Sequence, residues 1–281
     1  MEIEIKLRLS PSALAVLRAD PVLAGLPATR RQFDNIYFDT PQRLLAEAGI
    51  ALRLRHDGKR WLQTVKGGGN SQAGLHQREE IEFAVAGPAL EWPALAGSAF
   101  DSVLAPLKDQ LAPQFHTRFE REIRQLQGMA GAEVELAIDQ GEIIAGEYRE
   151  ALCELELELT SGPVDDLFSL ALLLVGRHPL RAESTTKAER GDRLARRLPQ
   201  PPPVKAGTLK LPPDADLRTV TRLAIGQALA HLQGNETGFF CQPQGSPYDS
   251  EYLHQLRVAV RRLRVACGPL APAGPAAGER A

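Results

Sequence analysis

The chain is short of cysteine, of net charge and of long apolar runs, and each shortage closes off a class of protein. Cys153, Cys241 and Cys267 are its three cysteines in 281 residues. They are far apart and form no CxxC pair, so neither a disulfide framework nor a zinc site is expected, and a reducing compartment suits them. The formal net charge of -2 gives no global reason to expect nucleic acid or an anionic membrane as partner, so any charge effect has to be local. No apolar run is long enough to span a bilayer, and a strand pattern that begins at Glu2 leaves no room for a basic and then apolar leader. The expectation is a cytoplasmic protein with no nucleic-acid or membrane partner. No internal repeat stands out.

What the chain does have is alternation. In MEIEIKLRLS, Glu2, Glu4, Lys6 and Arg8 alternate with Ile3, Ile5, Leu7 and Leu9. A strand sends successive side chains to opposite faces, so one face is ionic and the other aliphatic. A single strand of this kind is ordinary, because the outer face of a half-buried antiparallel sheet is solvated. The device recurs, however. Arg53 and Arg55 share a face in IALRLRHDG; His76, Arg78, Glu80 and Glu82 share one in HQREEIEFAV; Glu154, Glu156 and Glu158 share one in CELELELTSG. Lys66 in LQTVKGG, Arg118 and Arg121 in HTRFERE, and Glu135 with Asp139 in VELAIDQG extend the set. A regular strand puts Arg118 and Arg121 on opposite faces. Arg118 is the one expected to join the other cations, and Arg121 would need a bulge to do so.

Period-two segments recur near residues 2–9, 31–39, 50–57, 60–66, 75–85, 115–127, 132–139 and 150–160, divided by Gly- or Pro-containing stretches. Between and after them lie three helical patterns. SPSALAVLRAD has Ser10 as N-cap and Pro11 in the first turn, VDDLFSLALLLVG ends at Gly176, and ESTTKAERGDRLARRL follows. Composition breaks at LPQPPPVKAGTLKLPP, read as a proline-rich linker over 199–213. Residues 214–233 and 251–267 read as helices, and GPLAPAGPAAGERA is expected to be disordered. The expected fold is α+β. A closed antiparallel β-tunnel of about eight strands with flanking helices occupies 1–198, and a short all-α segment occupies 214–281.

If the sheet closes, its charged faces line a lumen with room for one small ligand. Charges gathered there are costly unless they meet opposite charge from a ligand, a metal or one another. Lys6, Arg53, Arg55, Lys66 and Arg118 favour a polyanion, the arginines as forks and the lysines as point charges. Glu2, Glu4, Glu154 and Glu156 repel that same polyanion unless hard divalent cations lie between, and Mg²⁺ is commonly held by a few carboxylates together with substrate phosphates. The combination points to a metal-dependent phosphoryl site.

MEIEIK resembles the ExExK signature of the CYTH, or triphosphate tunnel metalloenzyme, family. NIYFDT, ALRLR, TVK, REEIE, TRFER, AIDQGEI, CELELEL and ESTTKAERG follow in that family's order over about residues 1–198. The resemblance implies a tunnel that hydrolyses inorganic tripolyphosphate to diphosphate and phosphate with Mg²⁺ or Mn²⁺. A class IV type adenylate cyclase and a thiamine or nucleoside triphosphatase are the alternatives within the fold. A non-catalytic polyphosphate-binding module is the alternative outside catalysis. By motif, the implied metal ligands are Glu2, Glu4, Glu154, Glu156 and Glu158. Substrate would be held by Lys6, Arg53, Arg55, Lys66, Arg118 and Lys187, with Arg190 beside Lys187 on its helix. Lys6, Glu80 and Lys187 are the implied catalytic groups, although Glu80, Glu82 and Asp139 either orient water or metal or pair with the arginines. Tyr37, Phe38, Asp39, Trp61 and His76 read as bracing residues. In the tail, HQLRVAVRRLR resembles the opening helix of a CHAD domain, here truncated. His254, Arg257, Arg261 and Arg264 make a basic stripe for long-chain polyphosphate, beside a core seam of Leu253, Leu256, Val260 and Leu263.

Overall fold

The structure is a computed structural model that describes residues 2–72, 75–199, 201–240 and 249–268. The chain divides after Leu198 into two units. In the first, strands β1 (Glu2–Arg8), β2 (Thr29–Asp39), β3 (Ala51–His56), β4 (Trp61–Gln72), β5 (Leu75–Val85), β6 (Ala112–Gln127), β7 (Glu133–Ala145) and β8 (Tyr148–Ser161) pair antiparallel in the order β5-β4-β3-β2-β6-β7-β8-β1. Pairing of β1 with β5, Glu2 opposite Arg78 and Ile5 opposite Leu75, closes the sheet into a tunnel. The two-residue β9 (Arg181–Ala182) takes over that edge of β1 at Leu7 and Arg8.

Alternation then separates inside from outside. The aliphatic faces of β1, β7 and β8 turn outward and are covered by α1 (Pro11–Arg18) and α4 (Val164–Arg177), so that Ile5, Leu7, Leu136, Ile138, Leu155 and Leu157 form one core with Leu14, Leu17, Leu167 and Leu174. On the other flank, Leu52 and Val65 pack under Leu45, Leu95, Phe100 and Leu104, which belong to the short α2 (Leu44–Glu47), α3 (Asp101–Leu104) and neighbouring 3-10 turns. These one-turn pieces are additional to the expected helices. The two largest hydrophobic clusters therefore lie between tunnel wall and helices, and the lumen takes the charges together with a few aromatics, Tyr37 and Phe119 among them. Helix α5 (Lys187–Ala195) begins with a capping box in which Thr186 and Glu189 satisfy each other's backbone donors.

The second unit holds α6 (Leu217–Phe240) and α7 (Ser250–Cys267). Helix α6 outruns the expected 214–233. Gly238 is a point of close approach, since a Cβ there would stand 1.9 Å from Cε1 of Tyr252. Segment 199–213 is more than a tether: Val204 N donates to Asn235 Oδ1 at 3.0 Å, Asn235 Nδ2 donates to Val204 O at 3.0 Å, and Tyr252 donates its hydroxyl to Pro201 O. The face α7 buries carries Tyr252, Gln255 and Ala259, while Leu253 and Val260 are 41% and 45% exposed. The expected seam is thus displaced by one position around the helix. The expected disorder of the extreme C-terminus falls, from residue 269, outside the described residues. Among those described, no helix is long and apolar enough to cross a membrane.

Candidate active site

The lumen is a cavity of about 270 Å³ whose lining includes Glu2, Glu4, Lys6, Arg53, Arg55, Lys66, Glu80, Arg121, Glu156, Glu158 and Lys187. Register explains the gathering. Lys6 stands opposite Glu156 and Glu4 opposite Glu158 across β1 and β8; Lys66 stands opposite Glu80; Arg121 stands opposite Asp139.

The carboxylates fall into two groups. Asp139, Glu154 and Glu156 are buried, each offering an oxygen within 4.8 Å of the others. Cations surround them: Lys187 Nζ is 2.7 Å from Asp139 Oδ2 and 2.9 Å from Glu156 Oε1, and it also pairs with Glu154. Lys6 pairs with Glu156. Arg121 donates to both oxygens of Asp139 at 2.7 Å and reaches Glu156, and Arg190 reaches Glu154 at 3.2 Å. Burial opposes ionisation of Glu156, but Lys187, Lys6 and Arg121 outweigh it and hold the group well below the usual carboxylate range. The same contest raises Lys6 and Lys187 above an ordinary lysine: burial pulls both down and the facing carboxylates overcome it.

In the second group, Glu2, Glu4 and Glu158, two acids have a lysine and Glu158 has no ion pair among the described residues. Burial first, then repulsion from Glu2 and Glu4, pushes Glu158 up to about 7. Lys6 is 2.9 Å from Glu4, and Lys66 lies 2.8 Å from Glu2 and 3.1 Å from Glu80. Three acids against two lysines leave surplus negative charge, which suits a hard divalent cation; Asp139, Glu154 and Glu156 are more closely surrounded by cations, although burial still pushes Glu154 up. Opposite these acids, Arg53 is buried with Nη1 3.4 Å from the Tyr37 hydroxyl, and Arg55 donates to Asn35 Oδ1 at 3.0 Å. Burial, then the neighbouring Arg53 and Arg121, lowers Arg55 to about 10.

Of the residues expected at the site, Arg118 alone points away. Its Nε donates to Asp34 Oδ2 at 3.0 Å and its side chain is 60% exposed. On β6 the inward residues are Phe115, Thr117, Phe119 and Arg121, so Arg121 reaches the lumen on a regular strand with no bulge around it. Arg190 sits behind the lining, bonded to Glu150 and Glu154. Asp139, left open between two roles by the sequence, is a full member of the buried acidic group. Its signal was its register partner: a buried arginine three residues from the favoured one. His76 braces, its Nε2 3.0 Å from Glu183 O.

Fold and lining define a closed β-tunnel protein with a polyionic lumen. The family model for the CYTH domain matches residues 1–191, and the chain belongs to that family. It is 32% identical over 193 residues to an inorganic triphosphatase of Haemophilus influenzae, a match covering 68% of this chain and 54% of that one. The chain thus spans about half the length of this curated relative. Among solved structures it is similar to a Hippeastrum protein described as an adenylyl cyclase with a dominant triphosphatase activity, at 23% identity and a TM-score of 0.50, covering 66% of this chain and 93% of that one. At that identity the likeness speaks for the fold.

Proposed function

We propose that the tunnel binds inorganic tripolyphosphate and hydrolyses it, with Mg²⁺ or Mn²⁺, to diphosphate and phosphate. The observation that carries this reading is the coexistence in one lumen of a cationic wall, Arg53, Arg55, Lys66 and Arg121, and a carboxylate set, Glu2, Glu4 and Glu158, that outnumbers the lysines bonded to it. A pure anion-binding module gains nothing from those acids, which weaken its affinity. Glu2, Glu4 and Glu158 would hold the metal, and Glu156 and Glu154 would join them where phosphate draws Lys6 and Lys187 away. When bound, it supplies charge neutralisation and a lowered pKa for the attacking water. Arg53, Arg55, Lys66 and Arg121 hold and orient the phosphate chain and stabilise charge on the departing group. Lys6 and Lys187 bond carboxylates, and their long stems let a phosphate oxygen compete for the same ammonium groups. Glu80 holds Lys66 in place.

A second reading stays within the fold. A cavity of about 470 Å³ shares Tyr37, Ala51, Arg78, Thr186 and Ala188 with the tunnel and has apolar walls, Ile50 and Phe115 among them. It has room for an organic group, which favours a nucleoside or thiamine triphosphate as a further substrate. Incubation of the protein with tripolyphosphate, ATP and thiamine triphosphate, with and without Mg²⁺ or Mn²⁺, separates these. Metal-dependent phosphate release chiefly from tripolyphosphate supports the first reading. Cyclic AMP with diphosphate replaces it with a cyclase, and binding without turnover replaces it with a binding module.

The second unit is the start of a CHAD-like domain in this reading. His254, Arg257, Arg261 and Arg264 are exposed along α7, a stripe suited to long-chain polyphosphate. The three scattered cysteines support a cytoplasmic setting.

A further inference from the structure

The inner face of β2 runs from Tyr37 through Asn35 and Phe33 to Arg31, past the end of the lumen. There the register sets Arg31 directly opposite Arg121 on β6. Like charges facing each other across neighbouring strands destabilise a sheet unless an anion lies between them. Arg55 makes a third cation, its Cζ 4.9 Å from the centre of the Phe33 ring, with that of Arg121 5.9 Å from the same ring. These groups line a cavity of about 340 Å³ at the tunnel mouth that shares Arg55, Arg121 and Glu135 with the lumen.

The charges at this mouth do not balance. Arg121 is committed to Asp139 and Glu156 inside the tunnel. Arg55 has Glu82 at 3.9 Å. Glu135, the carboxylate lining the mouth, accepts from Gln125 Nε2 at 3.2 Å. Arg31 is exposed, and among the described residues no carboxylate lies within ion-pair distance of it. A cationic fork with no ion-pair partner among the described residues stands where a chain held by Arg53, Arg55 and Arg121 would leave the tunnel.

We propose that Arg31 and Arg55 form an additional phosphate subsite at this mouth, so that the protein binds linear polyphosphates of four or more units more tightly than tripolyphosphate. Arg31 sets the preference for chain length, because it lines the mouth cavity and not the lumen. This rests on the tunnel reading above.

The test compares wild type with Arg31→Ala, Arg31→Glu and Arg31→Lys in the full chain. KM and kcat are measured for tripolyphosphate and linear tetrapolyphosphate, alongside calorimetric binding of both anions in metal-free buffer. The expected result is that Arg31→Ala raises KM and Kd for tetrapolyphosphate about tenfold, the worth of one charge-assisted hydrogen bond. Both constants for tripolyphosphate should stay within about twofold by the same measure. Arg31→Glu should do more, and Arg31→Lys should restore part of the affinity. Equal effects on the two anions, or none on either, overturn the subsite. If neither anion is turned over but both bind, hydrolysis fails as the function, and the calorimetric comparison of the two chain lengths still decides the role of Arg31.

Discussion

Glu156 and Glu158 sit two residues apart on β8, face the same lumen and are driven in opposite directions. Three cations hold Glu156 ionised, whereas burial and then Glu2 and Glu4 hold Glu158 protonated to about pH 7. The sign for stability follows from that difference. A carboxyl raised above its unfolded value contributes stability that is complete below about pH 4.5 and is lost as pH rises through 7. Glu158→Gln should therefore raise Tm at pH 8 in metal-free buffer and leave it unchanged near pH 4. Water screens the half-buried group, which discounts the effect to about 1–2 kcal/mol, or roughly 2–6 °C. Thermal melts at the two pH values, without and then with Mg²⁺, check this; the gain at pH 8 should vanish or reverse with metal if Glu158 is a ligand. Arginine supplies the complementary case. Arg121→Ala leaves Asp139 and Glu156 short of a partner and should lower kcat/KM on tripolyphosphate by about 10²-fold, whereas Arg118→Ala, on the outer wall, should stay near wild type. Steady-state kinetics of both variants, with circular dichroism to confirm folding, separates them. The confusion between these two arginines has a physical origin. On β1, β3 and β8 the polar face is the inner one, but on β6 the inner face carries Phe115 and Phe119, and the more polar outer face pairs with Arg18, Arg30 and Asp34. Alternation identifies two faces without saying which one a closed sheet turns inward.

At the scale of elements, the strands are the legible part, because a period of two over six or more residues is hard to produce otherwise. The short α2 and α3 are not: a single turn has no periodicity to read, and each exists because Leu45 or Leu104 caps the flank of the sheet. Helix α5 is readable as a helix in ESTTKAERGDRLARRL, but its placement depends on contacts far away in the chain. Arg43, with φ of 65°, donates from Nε to Asp192 Oδ1 at 2.8 Å. Gly191 lets α5 approach β6 so closely that a Cβ would stand 2.0 Å from Cε2 of Phe115. Lys187 and Arg190 ride on that helix. Gly191→Ala should push α5 off the wall, costing about 1–3 kcal/mol, and should raise KM for tripolyphosphate by withdrawing Lys187. Adding Phe115→Leu should recover most of both losses. Denaturant melts and kinetics of the single and double variants test this; a single variant with normal KM would separate the position of α5 from substrate binding.

At the scale of the molecule, the first unit carries its own cores, a closed hydrogen-bonded sheet and every residue assigned to the lumen. Nothing in that set comes from beyond Leu198. The fragment 1–198 should therefore fold alone and turn over tripolyphosphate within about twofold of the full chain. A folded fragment without turnover would mean that the helical unit shapes the site. The second unit is differently placed. Its two helices pack through Tyr252, Gln255, Ala259 and His231, and Leu253 and Val260 are left in solvent on the far side of α7. If the basic row His254, Arg257, Arg261 and Arg264 and the apolar stripe beside it act as proposed, the full chain should have two properties that the fragment lacks. One is affinity for long-chain polyphosphate that falls steeply with salt, because exposed charges are screened within about 8–10 Å at ordinary ionic strength. The other is self-association at high concentration, since Leu253 and Val260 leave apolar surface in solvent. Replacing Leu253 and Val260 with Ser should abolish the second and preserve the first, and replacing the three arginines with Glu should do the opposite. Sedimentation velocity and binding titrations at two salt concentrations measure both. A chain that loses both properties together in either variant would show one surface serving both.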